Sequence, residues 1–133
     1  MISVTLREIE KSFRRHRNVV DSANAPSATH RMVLFYAVEC GLKAVYMRRN
    51  KLRKTDGAVT GFGHRLADLL ASLRCTYRLR DAKGKDGIPI PSKSLHEAWR
   101  YGKALEDQRE LSCETSLKNI ILWINNELEG GGV

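Results

Sequence analysis

Apolar residues recur along this chain at spacings of three and four far more often than at two, which predicts helices. The longest such stretch spans residues 29–50, where Leu34, Val38, Gly41, Leu42 and Val45 share one helical face. Phe35, Tyr36, Cys40, Tyr46 and Met47 widen that face until the middle turns are apolar nearly all round. Such a helix belongs at the centre of a bundle. Glu39 and Lys43 interrupt it and both ends are polar, so it is not expected to span a membrane.

A first helix is predicted over residues 5–22, with Leu6, Ile9, Phe13, His16 and Val20 as its stripe and Arg7, Lys11, Arg14, Arg15 and Arg17 on its other side. His16 reads as a core or boundary histidine. Asn24-Ala-Pro26 breaks the pattern, and Ser27 can cap the central helix. Residues 55–63 hold three glycines without a period and read as a loop. A short helix follows over 64–73, with Leu66, Leu69, Leu70 and Leu73 inward. Residues 74–80 alternate as a strand would, or continue a helical turn into coil. Residues 81–91 read as an extended loop around two prolines. Ser94-Leu-His-Glu97 matches a capping box and opens a helix through Ala98, Trp99 and Tyr101. The last helix is expected over 112–129, with Cys113, Leu117, Ile120, Ile121, Ile124 and Leu128 inward and Trp123 off the stripe as a subunit contact. A loose tail follows from about residue 130. The sum is one all-α domain, an up-and-down bundle of four to five helices.

Charge changes the picture. The net charge is +8 over 133 residues, distributed as +8 over residues 1–54, +4 over 55–105 and −4 over 106–133. A basic front and an acidic tail suit a polyanion partner, or pairing between copies. Residues 48–54 carry five cations, Arg48, Arg49, Lys51, Arg53 and Lys54. A helix C-terminus accounts for two or three of them; the rest make this stretch the first candidate for phosphate contacts. Gly61-Phe-Gly63 before a helix could cradle an anion with His64 and Arg65, although a plain turn is the ordinary reading.

Cys40, Cys75 and Cys113 are odd in number and form no CxxC, which suggests reduced thiols. The opening residues turn charged too soon for a signal peptide, so a cytoplasmic protein is expected. No two of His16, His30, His64 and His96 have the i, i+4 spacing of a helical zinc site, and no nucleophile motif occurs. No metal, cofactor or catalytic residue is expected from these patterns. Glu39 and Lys43, one turn apart, read as a structural ion pair; alternatively, Glu39 orients a partner helix or binds a ligand cation.

Val38-Glu-Cys-Gly-Leu-Lys-Ala44, then Gly63-His-Arg-Leu-Ala-Asp-Leu-Leu70, then Arg100-Tyr101 before a last helix with an Ile/Leu/Trp stripe, resemble the HEPN family (higher eukaryotes and prokaryotes nucleotide-binding). The resemblance covers roughly residues 5–129. It implies an α-helical bundle, often dimeric, of a kind found in RNA-cleaving toxins, in antiviral defence, on mobile bacterial DNA and as partners of nucleotidyltransferases. Family nucleases use an Arg followed after four to six residues by a His. Here no His follows Arg100 or Arg109, and no Arg lies four to eight residues before His96. The expectation is therefore a non-catalytic, dimeric HEPN-like module binding RNA or nucleotides. Its contacts are Arg48, Arg49, Lys51, Arg53 and Lys54, with His64, Arg65, Arg100 and Tyr101 beside them; Trp99 and Tyr101 are base-stacking candidates whose ordinary role is core packing. The rival readings are a protein-interaction module, for example with a nucleotidyltransferase, and a divergent metal-independent RNase using His64 or His96 with a nearby Arg.

Overall fold

The central helix α2 (Ala28–Arg49) is surrounded on several sides, as its nearly continuous apolar surface requires. A computed structural model describes residues 2–22 and 27–131 of the chain. The other helices are α1 (Leu6–Asp21), α3 (Ala58–Phe62), α4 (Leu66–Ser72), α5 (Leu95–Arg100) and α6 (Asp107–Asn126). The fold is an all-α bundle. Its one sheet among the described residues is a two-stranded antiparallel pair, β1 (Ala82–Lys83) and β2 (Pro89–Ile90).

α1 and α2 run antiparallel. The chain before α1 returns to the end of α2, where Leu6 N–H donates to Arg53 O (2.9 Å) and Thr55 N–H to Val4 O (2.9 Å). α6 runs beside α2 in the same direction. Near their starts Arg31 pairs with Glu110 (2.9 Å) and Glu114 (2.8 Å); near their ends Arg49 meets Glu127 (3.3 Å). The short elements of residues 50–106 carry the chain back between them. Where α1, α2 and α6 meet stands Gly41, whose missing Cβ would lie 2.7 Å from Ile124 Cδ1 and 2.8 Å from Phe13 Cδ1. No side chain fits there without repacking, so the glycine permits the close approach. Phe13, Phe35, Val38, Leu42, Leu117, Ile120 and Ile124 fill the core.

The expected helices over 5–22 and 29–50 are present. Thr5 and Glu8 close a capping box at α1, and Ser27 caps α2 together with His30. Elsewhere the structure corrects the reading. Residues 55–63 are not all loop: buried Val59 and the Thr60 hydroxyl, which donates to Thr55 O, hold the single turn α3. α4 starts at Leu66, two residues late, because Gly63 (φ +55°) turns the chain and leaves His64 and Arg65 outside the helix. The capping box at Ser94 does not form. Ser94 closes a 3-10 turn (Ser92–Ser94), its own N–H already donating to Pro91 O (2.8 Å). Residues 74–80 form neither strand nor helix, although Leu79 is buried. The extended loop at 81–91 pairs with itself as β1 and β2.

α6 begins at Asp107, six residues before its apolar stripe starts at Cys113. Its polar first turn is held by Arg31 and by Trp99, whose Nε1–H donates to Glu110 Oε2 (3.0 Å). Its end continues as a wider turn through Glu127–Gly131. Trp123 is half-buried beneath the Arg49 guanidinium, 5.5 Å from the ring centroid, within this same chain. His16 is half-buried on the stripe, and burial lowers its pKa from the usual imidazole value. The break at 24–26 and the tail residues 132–133 lie outside the described residues.

Candidate functional site: a histidine, tyrosine and arginine cluster on α2

Tyr36, Glu39 and Lys43 occupy one side of α2, at i, i+3 and i+7. Against them lie His64, from the turn between α3 and α4, and His96 and Arg100, one turn apart on α5. His64 Nδ1 bonds Glu39 Oε1 at 2.6 Å, and Lys43 Nζ bonds Glu39 Oε2 at 3.0 Å. One carboxylate thus holds the buried lysine and fixes the imidazole. Glu39 makes the structural pair with Lys43 and also tethers the segment after α3.

The His64 ring packs at a tilt against His96 with centroids 4.1 Å apart, and His96 in turn against Phe35 at 4.9 Å. Tyr36 stands 6.4 Å from His64 and 5.9 Å from His96. The Arg100 guanidinium lies over Tyr36, 5.8 Å from its centroid, and donates to its hydroxyl. The Tyr101 and Tyr36 hydroxyls keep Arg100 charged, raising its pKa above the ordinary arginine value. His96 is buried, and its Nδ1 has no hydrogen-bond partner among the described residues. Burial lowers its pKa and the neighbouring His64 adds to that, so this ring is neutral at pH 7. His64, Arg100 and Tyr101 are exposed.

The other predicted contacts separate. Arg48 donates to Leu128 O, and Arg49 to Leu73 O (2.6 Å) while pairing with Glu127. Both tie the end of α2 to its neighbours. Arg65 folds back onto Gly61 O (2.7 Å) and lies 3.5 Å from Asp68. Gly61-Phe-Gly63 precedes no long helix, since α4 has seven residues. Lys51, Arg53 and Lys54 are exposed, and no side-chain partner is found for them among the described residues. Arg53 lines a shallow groove of about 430 Å³ with Arg7, Leu6 and Leu52. Trp99 is in the core, whereas Tyr101 is 77% exposed.

Sequence reasoning passed over Tyr36 and Arg7 as contact residues. The i, i+4 spacing of His96 and Arg100 was the available signal for the α5 half of the cluster; nothing local joined it to Tyr36. Burial raises the pKa of all three thiols, that of Cys113 to about 11, so none is a ready nucleophile at neutral pH. Among the described residues no three His, Cys, Asp or Glu side chains gather as metal ligands would, and no helix is long and apolar enough to cross a membrane.

No family model, no curated protein and no solved structure matches this chain.

Proposed function

We propose that this chain is a HEPN-like helical module that binds RNA or nucleotides without cleaving them. The observation that carries the reading is the convergence of Arg100, Tyr36 and carboxylate-held His64 on one exposed site. A fixed guanidinium beside a hydroxyl suits a phosphate oxygen. Arg7 at the start of α1, with Lys51, Arg53 and Lys54 just past the end of α2, supplies further exposed charge for a backbone running along the protein. A homodimer, a cytoplasmic location and a role in bacterial defence or toxin–antitoxin systems belong to the same proposal, through the HEPN resemblance.

The geometry of the two histidines speaks against cleavage. In-line displacement at phosphorus wants a base and an acid on opposite sides of it. Two rings stacked 4.1 Å apart leave no room for a phosphate between them, and His96 is buried. One observation favours a catalytic second reading: Glu39 orients His64 as a carboxylate orients a general base. In that reading His64 acts alone.

A titration of labelled single-stranded RNA at several salt concentrations tests both, followed by a gel of the same samples in EDTA. The expected result is intact RNA and an affinity that falls with salt, log K dropping by about 0.7 per phosphate contacted. RNA cut in EDTA by wild type but not by His64→Ala establishes the catalytic reading. No binding at low salt removes nucleic acid and leaves docking to an acidic protein partner.

A further inference from the structure

The stacked column Phe35–His96–His64 runs from the core to the surface. Phe35 is fully buried and His96 is 2% exposed, but the His64 side chain is 49% exposed. Interplanar angles of 34° and 40° tilt each ring against the next. His96 packs against His64, and about half of the His64 side chain stays open to solvent. The column ends in a half-exposed aromatic ring.

That ring is held in place before any ligand arrives. Glu39 fixes Nδ1, and Gly63, at φ +55°, sets the turn that delivers the ring. Binding therefore costs little rotamer freedom at this ring. Beside it, 6.4 Å away between centroids, stands Tyr36, which carries Arg100 on its hydroxyl. A half-exposed ring with a guanidinium one aromatic side chain away suits a nucleobase and a phosphate of the same strand. In a duplex both faces of an internal base are occupied by its neighbours; in a single strand they are available.

We infer that His64 is a stacking platform for one unpaired base of single-stranded RNA, with Arg100 on the adjoining phosphate. This rests on the RNA-binding reading and names its ligand class. Stacking on a π-face is tolerant of base identity, so the preference is for unpaired nucleotides and not for a particular sequence.

The probes are a labelled oligoadenylate of roughly ten nucleotides, within the site sizes of single-strand binders, and a duplex of the same length. The proteins are wild type, His64→Ala and His64→Phe, each checked for helicity by circular dichroism. His64→Ala should weaken oligoadenylate binding about tenfold, with the salt slope unchanged. His64→Phe keeps a π-face and loses the titratable nitrogen; it should bind within about twofold of wild type. Duplex binding should be weaker in wild type and indifferent to both variants. In wild type, oligoadenylate should move the His64 ring-proton resonances upfield through the ring current of the stacked base.

Unchanged affinity in His64→Ala, while wild-type binding stays salt-dependent, overturns the platform and leaves the RNA-binding reading standing. A His64→Phe variant as weak as His64→Ala overturns it too, because imidazole chemistry and not stacking would then matter. An unmoved His64 resonance in saturated wild type does the same without any variant. No binding of either probe at low salt overturns both the platform and the reading beneath it.

Discussion

Two stretches of α2 make opposite use of their charged and aromatic residues. At its C-terminal end, five cations lie within seven residues, yet the fold divides them. Arg48 and Arg49 bond the carbonyls of Leu128 and Leu73, while Lys51, Arg53 and Lys54 have no side-chain partner among the described residues. In its middle, Tyr36, Glu39 and Lys43 look ordinary in sequence, yet His64, His96 and Arg100 converge on them from segments 25 to 64 residues away. Charge density along a chain marks a stretch that solvent tolerates. A site needs side chains held by one another, and that property belongs to the middle of the helix.

The sharpest way to break the contrast is Glu39→Ala, which takes the carboxylate from buried Lys43 and from His64 together. The expected loss is about 3 kcal/mol in urea unfolding, whereas Glu39→Gln, which retains an acceptor, should lose less. Gly41→Ala acts on the packing that both stretches share. With a Cβ 2.7 Å from Ile124, it should cost about 2 kcal/mol. A melting temperature equal to wild type would show that α1 and α6 shift apart freely.

At the basic end the prediction is a split. Arg49→Ala should lose about 1–2 kcal/mol by the same unfolding measurement, since it removes a carbonyl bond, an ion pair and the cover over Trp123. Lys51→Ala should stay within about 0.5 kcal/mol of wild type. The triple variant Lys51→Ala, Arg53→Ala, Lys54→Ala should fold normally but flatten the salt dependence of the proposed RNA binding, by about 0.7 in slope for each phosphate no longer neutralised. A slope identical to wild type would place the backbone-binding cations elsewhere.

The smallest effect concerns acid. His96 has a folded pKa below its usual value because it is buried, with His64 adding repulsion; Glu97, Glu39 and Arg100 complete its charged surroundings. The unfolded chain therefore takes up more protons as pH falls below about 6.5, and stability declines in that direction. His16 contributes with the same sign. Unfolding curves between about pH 7 and 5 should show a shallower decline for His96→Phe than for wild type. Parallel curves would remove His96 from the account.

Helix periodicity made α1, α2 and the body of α6 legible, because burying an apolar stripe at 3.6 spacing admits few other solutions. The local rules weakened where distant parts of the chain decided. Val59 burial and a Thr60 hydroxyl bond make α3 out of a glycine-rich stretch. Arg31 and Trp99 extend α6 over a polar turn. A prior 3-10 turn takes away the capping box at Ser94.

The same division holds for the site. By itself the sequence determined an all-α chain with a basic front and a Glu39–Lys43 pair one turn apart, since each follows from composition or from neighbours along one helix. Only the tertiary structure decided that Glu39 also holds His64, that His64 closes a column of rings reaching Phe35, and that Arg100 rests on Tyr36. Those interactions join residues tens of positions apart, and their geometry is set by how α5 and the turn at Gly63 pack on α2. No local pattern encodes that packing.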